Sequence, residues 1–444
     1  MKRPPWVGAL LIALLLILRF AFAEQRFPPP EFHSGYKIPA VQYPRPKPLW
    51  FEYLDLLLLL IALGVATYLV YTKRSRRGIA YLSLLSLFYF GFYREGCICA
   101  IGSIQNVALA LGEGSYHIPA YVVGFFLLPL LFALFFGRVF CSAVCPHGAI
   151  QELVVWQPVR VPLWLEQGVG LFAYVYLGAA VLLAATGASF ILCEFDPFIA
   201  IFRLTGGFEM FVLGGSLLII GLFIGRPYCR YLCPLGVLLS LFARLSQKRV
   251  TIYPDRCVRC RLCEDSCPYN AIREPTTQPP DFDLAAARRR LLGYLLLTPL
   301  LVVAFGLLGS WCGPALARTH ATVQLEERLD REDRGLVQGT TEASKAFRES
   351  GRSRQELTST ANSIRKRFRT GGLLLGLWVG LVIALKLVSL CVWRSRDEYE
   401  ADRGACVACG RCFPYCPADE DERLRALAAL EAETAERKDE VATS

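Results

Sequence analysis

Two stretches decide how this chain is read: "CVRCRLCEDSCP", residues 257–268, and "CVACGRCFPYCP", residues 406–417. Both have the form C-x2-C-x2-C-x3-C-P, and together they hold eight of the 17 cysteines. Thiols spaced this tightly suit metal better than disulfide bridges. Two long apolar segments, 291–311 and 372–393, separate the stretches, so anything they build jointly is stitched across the ends of membrane helices.

The composition around them is that of a membrane protein. Of 444 residues, 54% are hydrophobic and 19% charged, and the apolar residues form blocks near the length of about 20 that a helix needs to cross a bilayer. The fold class expected is membrane all-α: a polytopic helical bundle of about seven spans, near 51–71, 78–93, 119–137, 168–189, 207–225, 291–311 and 372–393. The net charge of +10 implies no nucleic acid, because Lys and Arg gather at the ends of apolar segments, where they orient the chain. "TKRSRR", "ARRR" and "WRSR" all fall on the side assigned to the cytoplasm. "SIRKRFR" at 363–369 falls on the other side, closing a loop long enough for charge to lose its control of orientation.

The organisation expected follows from these segments. Residues 1–23 form a signal peptide or first membrane helix, and 24–50 a Pro-rich extracytoplasmic segment. Residues 51–250 form the bundle, 251–280 and 394–420 two halves of one metal module, and 281–311 and 372–393 the helices between those halves. Residues 312–371 form an extracytoplasmic loop of polar helices and 421–444 a charged tail.

The spacing of the two stretches is that of bacterial ferredoxins with two 4Fe-4S clusters, in which the fourth cysteine of each run serves the other cluster. Carried over position by position, one cluster takes Cys257, Cys260, Cys263 and Cys416, and the other takes Cys406, Cys409, Cys412 and Cys267. Zinc sites usually pair two distant C-x2-C knuckles instead. Shared ligation requires both halves in one compartment, and the span count places both in the cytoplasm.

An internal repeat supplies a second set of thiols. "GRVFCSAVCPHG" at 137–148 and "GRPYCRYLCPLG" at 225–236 share G-R-x-[FY]-C-x3-C-P-x-G. Cysteines four apart on a helix share one face, so Cys141 with Cys145 and Cys229 with Cys233 are candidates to present four thiols to one centre. Its occupant is left open between copper, a further cluster and a reversible disulfide pair. Small buried hydrophobes are the plainer reading. On the other side of the membrane, Cys97, Cys99 and Cys193 are weaker candidates for a metal or a disulfide. His147 beside the first repeat reads as a cap or interface residue.

With two CxxxCP repeats at the inner ends of spans, followed by paired ferredoxin motifs, the chain resembles the polyferredoxin membrane proteins of the NosR and NapH type, and more distantly a cytochrome oxidase assembly reductase. The resemblance implies a bacterial inner-membrane protein that passes electrons between the cytoplasmic side or quinone pool and an extracytoplasmic redox partner. Relatives of the NosR type carry a flavin domain outside the membrane. Residues 24–50 are too short and Pro-rich for one, so FMN is expected on a separate partner protein. "TGAS" at 186–189 is similar to a short flavin-attachment motif ending on Ser189, but small residues that ease helix packing are the plainer reading. No catalytic residues are visible, and the alternative function is a cupric reductase or oxidase assembly factor that uses the CxxxCP thiols.

Overall fold

The computed structural model describes residues 48–96, 100–114, 116–252, 257, 259–276, 284–391 and 396–417. The segment 1–23, most of the Pro-rich stretch, Cys97, Cys99 and the tail beyond 417 lie outside the described residues. Among those described, four helical segments are long and apolar enough to cross a membrane: Leu49–Tyr71, Trp164–Ala185, Ala285–Thr319 and Arg354–Cys391. The other expected spans are present as shorter helices, Ala120–Phe136 and Phe208–Gly221, and as a helix whose geometry changes midway.

In chain order the bundle begins with α1 (Leu49–Tyr71) and α2 (Arg76–Ser86), the latter continuing as a π-helical turn over Leu87–Tyr93. The π-helix widens the aromatic run "LFYFGFY" and ends at buried Arg94, which pairs with Glu52 at 3.0 Å and Asp55 at 2.5 Å on α1. After α3 (Ala100–Gly112) come the two repeats. The first is α4 (Ala120–Phe136), α5 (Val139–Ala143) and α6 (Pro146–Val154); α7 (Leu163–Val169) and α8 (Leu171–Ala185) connect it to the second. Two short helices, α9 (Ile191–Glu194) and α10 (Ile199–Arg203), precede that second repeat, which is α11 (Phe208–Gly221), α12 (Pro227–Tyr231) and α13 (Pro234–Arg244).

The repeats are interleaved. The last helix of each packs on the long helix of the other, α13 on α4 and α6 on α11, so neither half buries its apolar face without its twin. One apolar core runs from Leu59 and Leu63 on α1 through Cys141 and Cys145 to Cys233 and Leu239 on α13.

The remaining membrane element is a helical hairpin, α15 (Leu284–Leu316) against α18 (Arg354–Cys391). Glycines set its closeness. A Cβ at Gly309 would overlap the carbonyl oxygen of Gly372, one at Gly372 that of Gly309, and one at Gly376 that of Phe305. Gly309-x3-Gly313 on one helix and Gly372-x3-Gly376-x3-Gly380 on the other are the small-residue pattern that lets membrane helices touch backbone to backbone. The membrane helix expected at 372–393 extends 18 residues further toward its N-terminus (372 − 354 = 18). That polar extension is helical because Ala361, Ile364 and Phe368 bury one face against Ala317 and Val323. Within "SIRKRFR", Arg365 pairs with Glu326 at 2.8 Å on α16 (Ala321–Asp333). With α17 (Glu342–Glu349), these make most of the segment between the two hairpin helices helical.

Beyond the hairpin's other end, β1 (Ile272–Arg273) pairs antiparallel with β2 (Glu400–Ala401), Ile272 opposite Ala401 and Arg273 opposite Glu400. A bridge between Thr276 and Arg396 extends the ribbon. The short helix α14 (Leu262–Asp265) carries Cys263, and Cys267 follows it before β1. Helices and one small ribbon thus join the two cysteine-rich segments.

Candidate metal centres

The ribbon brings the second motif's cysteines to the first. Cys263 lies within electrostatic reach of Cys416, Cys257 and Cys260. Cys412 lies within reach of Cys406, Cys409 and Cys267. Each group contains three thiols of one run and the last thiol of the other. Burial is the main influence on them, pushing Cys406 up to about 12, and Cys409 and Cys263 each up to about 11. Thiols this averse to ionising become thiolates only when a positive body takes the proton's place, so metal loading there releases protons.

One carboxylate fastens this module to the bundle. Glu152 on α6 accepts from Arg76 on α2 at 2.9 Å, from Arg226 at 3.1 Å and from Arg411 of the second motif at 2.6 Å, and also from the hydroxyl of Tyr269. Burial alone would raise its pKa, but Arg226, Arg411 and Arg76 together hold it down at about 2. Arg76 also donates to the Cys409 carbonyl at 3.0 Å. On the first motif's side, Arg160 pairs with Glu264 at 2.8 Å and Asn270 donates to Val161 O at 3.1 Å.

The four repeat thiols meet inside the bundle. Cys145 is within reach of Cys229 and Cys141, and Cys233 of Cys229, Cys145 and Cys141. They do not share helix faces as the four-residue spacing suggested. In each motif the first cysteine lies in a short helix, and the second is the N-cap of the next, with Pro146 or Pro234 at its first position. Proline drives the residue before it into extended backbone and is at home at a helix start, so the chain turns at Cys145 and Cys233.

The rest of the motif is explained by exchange between the repeats. Gly148 of the first faces Arg226 of the second: an added Cβ would stand 3.0 Å from Cys141 O and 3.1 Å from the Arg226 guanidinium. Gly236 of the second faces Cys229 O at 3.1 Å and Arg138 of the first at 3.5 Å in the same way. Arg226 donates to the Cys141 carbonyl from a left-handed backbone, φ 52°, a conformation that costs a non-glycine residue on the order of 1–3 kcal/mol. Gln151, fully buried, accepts from Tyr228 N at 3.0 Å and donates to Cys229 Sγ at 3.2 Å.

His147 is buried beside Cys145 with its Nε2 2.8 Å from Asp196, on the segment between α9, which bears Cys193, and α10. It stacks on Tyr228, so an interface role accounts for it. Cys193 is exposed. "TGAS" closes α8: Thr186 bonds back to Leu182 O at 2.8 Å and Gly187 adopts φ 70°. The sequence reading missed Gln151, Glu152 and Asp196, each a single polar residue with no spacing pattern around it.

The comparisons agree with this construction. A 4Fe-4S binding domain family matches residues 118–171 and 206–253, one repeat each, and a second 4Fe-4S binding domain family matches 250–273. The NosR and NapH resemblance holds. Protein NirI of Paracoccus denitrificans is 38% identical over 154 residues, 31% of this chain and 22% of NirI. The regulatory protein NosR of Pseudomonas aeruginosa is 32% identical over 222 residues, 45% of this chain and 30% of NosR. The methylamine utilization ferredoxin-type protein MauN of Paracoccus denitrificans is 29% identical over 155 residues, 33% of this chain and 54% of MauN. The chain thus spans between about a fifth and a half of these relatives. No solved structure matches it. Both repeats and the first ferredoxin motif are thus similar to 4Fe-4S binding domains, in a chain whose described residues include four helices long and apolar enough to cross a membrane.

Proposed function

We propose that the chain carries single electrons between the cytoplasmic side or quinone pool and an extracytoplasmic redox protein. The observation that carries this reading is the grouping of Cys416 with the first motif's thiols and of Cys267 with the second's. It supports one cluster on Cys257, Cys260, Cys263 and Cys416, and another on Cys406, Cys409, Cys412 and Cys267. A 4Fe-4S cluster stores one electron, at a potential that its hydrogen bonds and exposure tune over a wide range. In this reading the membrane is the bacterial inner membrane, and the ferredoxin module faces the cytoplasm, where the Arg-rich segment ends also lie.

FMN belongs to a partner on the opposite side, docking on the polar helices of 313–370 and near Cys193. The repeat thiols are a further metal site of the same chain. The test is anaerobic purification followed by iron analysis and spectroscopy of the reduced protein. The two ferredoxin sets account for about eight iron atoms and two interacting paramagnetic centres. About four iron atoms in these sets, with one isolated signal, would overturn the reading.

A further inference from the structure

We propose that the cavity between the bundle and the ferredoxin module binds a phosphate-bearing anion through Arg244 and Lys386, and that its source is an anionic phospholipid. This goes beyond the electron-carrier reading and does not depend on it.

The cavity exists because several helices end together. Both α13 and α18 pack on α8, and residues near their ends, with others on α7 and α12, enclose about 920 Å3. That volume lies within the range of about 300–1,000 Å3 usual for ligand sites. Arg244 is the last residue of α13, and Lys386 lies just over one turn before the end of α18. Glu166 on α7 and Arg230 and Tyr231 on α12 also line the space.

The first observation is unbalanced charge. Lys386 lies within electrostatic reach of Arg244, and among the described residues no carboxylate pairs with either. Glu166 is also within reach of Lys386, but its Oε1 is held by Arg230 at 2.7 Å. Lys386 uses one of its three donors on Gln167 O at 2.6 Å. A Cβ on Gly404 would stand 3.1 Å from Arg244 Nε, so the second ferredoxin half closes the cavity over that cation. Two like charges in such a place repel, and an anion between them removes the repulsion.

The second observation is a set of buried polar atoms without partners. Nη1 of Arg230, the Tyr231 hydroxyl and Oε2 of Glu166 each lack a hydrogen bond, and Tyr231 is only 8% exposed. Orphaned buried groups are costly, so their recurrence around one cavity points to a ligand. A phosphate oxygen accepts from Arg230 or Tyr231, and a headgroup hydroxyl donates to Glu166. Cys229 and Cys233 line another part of the same cavity. The arginines that act most strongly on Cys229 are Arg226 and Arg138, so the thiols have their own cations and do not account for Arg244 and Lys386.

The third observation chooses the source. Leu245 follows Arg244, and Leu390 lies one turn beyond Lys386, both exposed. Lys386 itself sits over the Tyr174 ring, 5.5 Å from its centroid. Cations with apolar surface beside them suit a phosphate joined to acyl chains better than a free ion. Basic pockets between membrane helices are where anionic headgroups bind.

The test uses the full chain in detergent, followed by native mass spectrometry before and after delipidation. A bound anionic phospholipid is expected in the first sample. The delipidated chain is expected to take up phosphatidylglycerol in preference to phosphatidylcholine. Arg244→Gln with Lys386→Gln is expected to weaken that uptake about thirtyfold, and Lys386→Arg to leave it unchanged. Inorganic phosphate that competes as well as the lipid would assign the site to a free anion and overturn the lipid source. Equal uptake of the two lipids, or undiminished uptake in the double variant, overturns the site. If the double variant fails to accumulate, the native chain's choice between the two lipids and phosphate decides. Iron counts on the same samples test the electron-carrier reading separately. Full iron with no lipid preference would leave that reading standing and remove this one.

Discussion

Arg411 holds its guanidinium 2.6 Å from the carboxylate of Glu152 and so ties the second ferredoxin half to the helix that follows the first CxxxCP motif. Three arginines converge on this one buried acid. Removing it leaves them facing one another, and breaking a buried charge cluster from one side costs about 3–5 kcal/mol. Glu152→Gln should therefore lower the thermal unfolding temperature in detergent and release iron from the module before the bundle unfolds, as followed by visible absorption on heating.

The same acid fixes a pH dependence. Its pKa is depressed to about 2 from an ordinary value of 4.5, so the unfolded chain binds the proton first as pH falls. The stabilisation is complete above the ordinary value and disappears as pH falls through about 2. Stability measured across that window should decline in the native chain, and the decline should flatten in Glu152→Gln. An equal slope in both would place the acid sensitivity elsewhere.

Cross-ligation is separable by mutation. Cys416→Ser should first damage the centre built on Cys257, Cys260 and Cys263, and Cys267→Ser the one on Cys406, Cys409 and Cys412. Spectra of the reduced variants check this, because each should retain the signal of the centre whose own four thiols are intact. If each substitution abolished only the centre of its own run, the pairing of the halves would have to be redrawn.

Gly376 lies where a Cβ would overlap the Phe305 carbonyl, so Gly376→Val should force α15 and α18 apart. Because that hairpin carries β1 and β2 at its end, the expected outcome is iron loss from the ferredoxin sets. Iron counts in Gly376→Val and in Gly293→Ala, where an added Cβ meets nothing within 4 Å, give the comparison.

Much of this was legible because metal ligation is written in spacing. The cysteine runs, the repeat and the long apolar segments each carry a period that survives without structure. The turn inside each CxxxCP motif was also on the page, since Pro146 and Pro234 cannot continue the preceding helix, but the four-residue interval was read as helical periodicity. The glycine triplet on α18 is visible too, within a segment whose apolar length alone already marks a membrane helix. What could not be read is reciprocal packing: that Arg226 donates to Cys141 of the first motif while Arg138 lies against Gly236 of the second depends on how two copies interleave. Nor does a lone Glu152 or Asp196 announce a partner far along the chain.

The pairing of Ile272 with Ala401 joins residues 129 positions apart (401 − 272 = 129), and both membrane helices of the hairpin lie between them. During synthesis β1 is finished long before its neighbour exists, and contacts this distant in sequence form late. Only a chain that has threaded α15 out and α18 back returns Glu400 and Ala401 to the same surface as Ile272. A polypeptide that inserts one helix and stalls exposes an unpartnered strand and a half-set of thiols to the proteases and oxidants of its compartment. Closure of the ribbon therefore waits on the second helix of the hairpin.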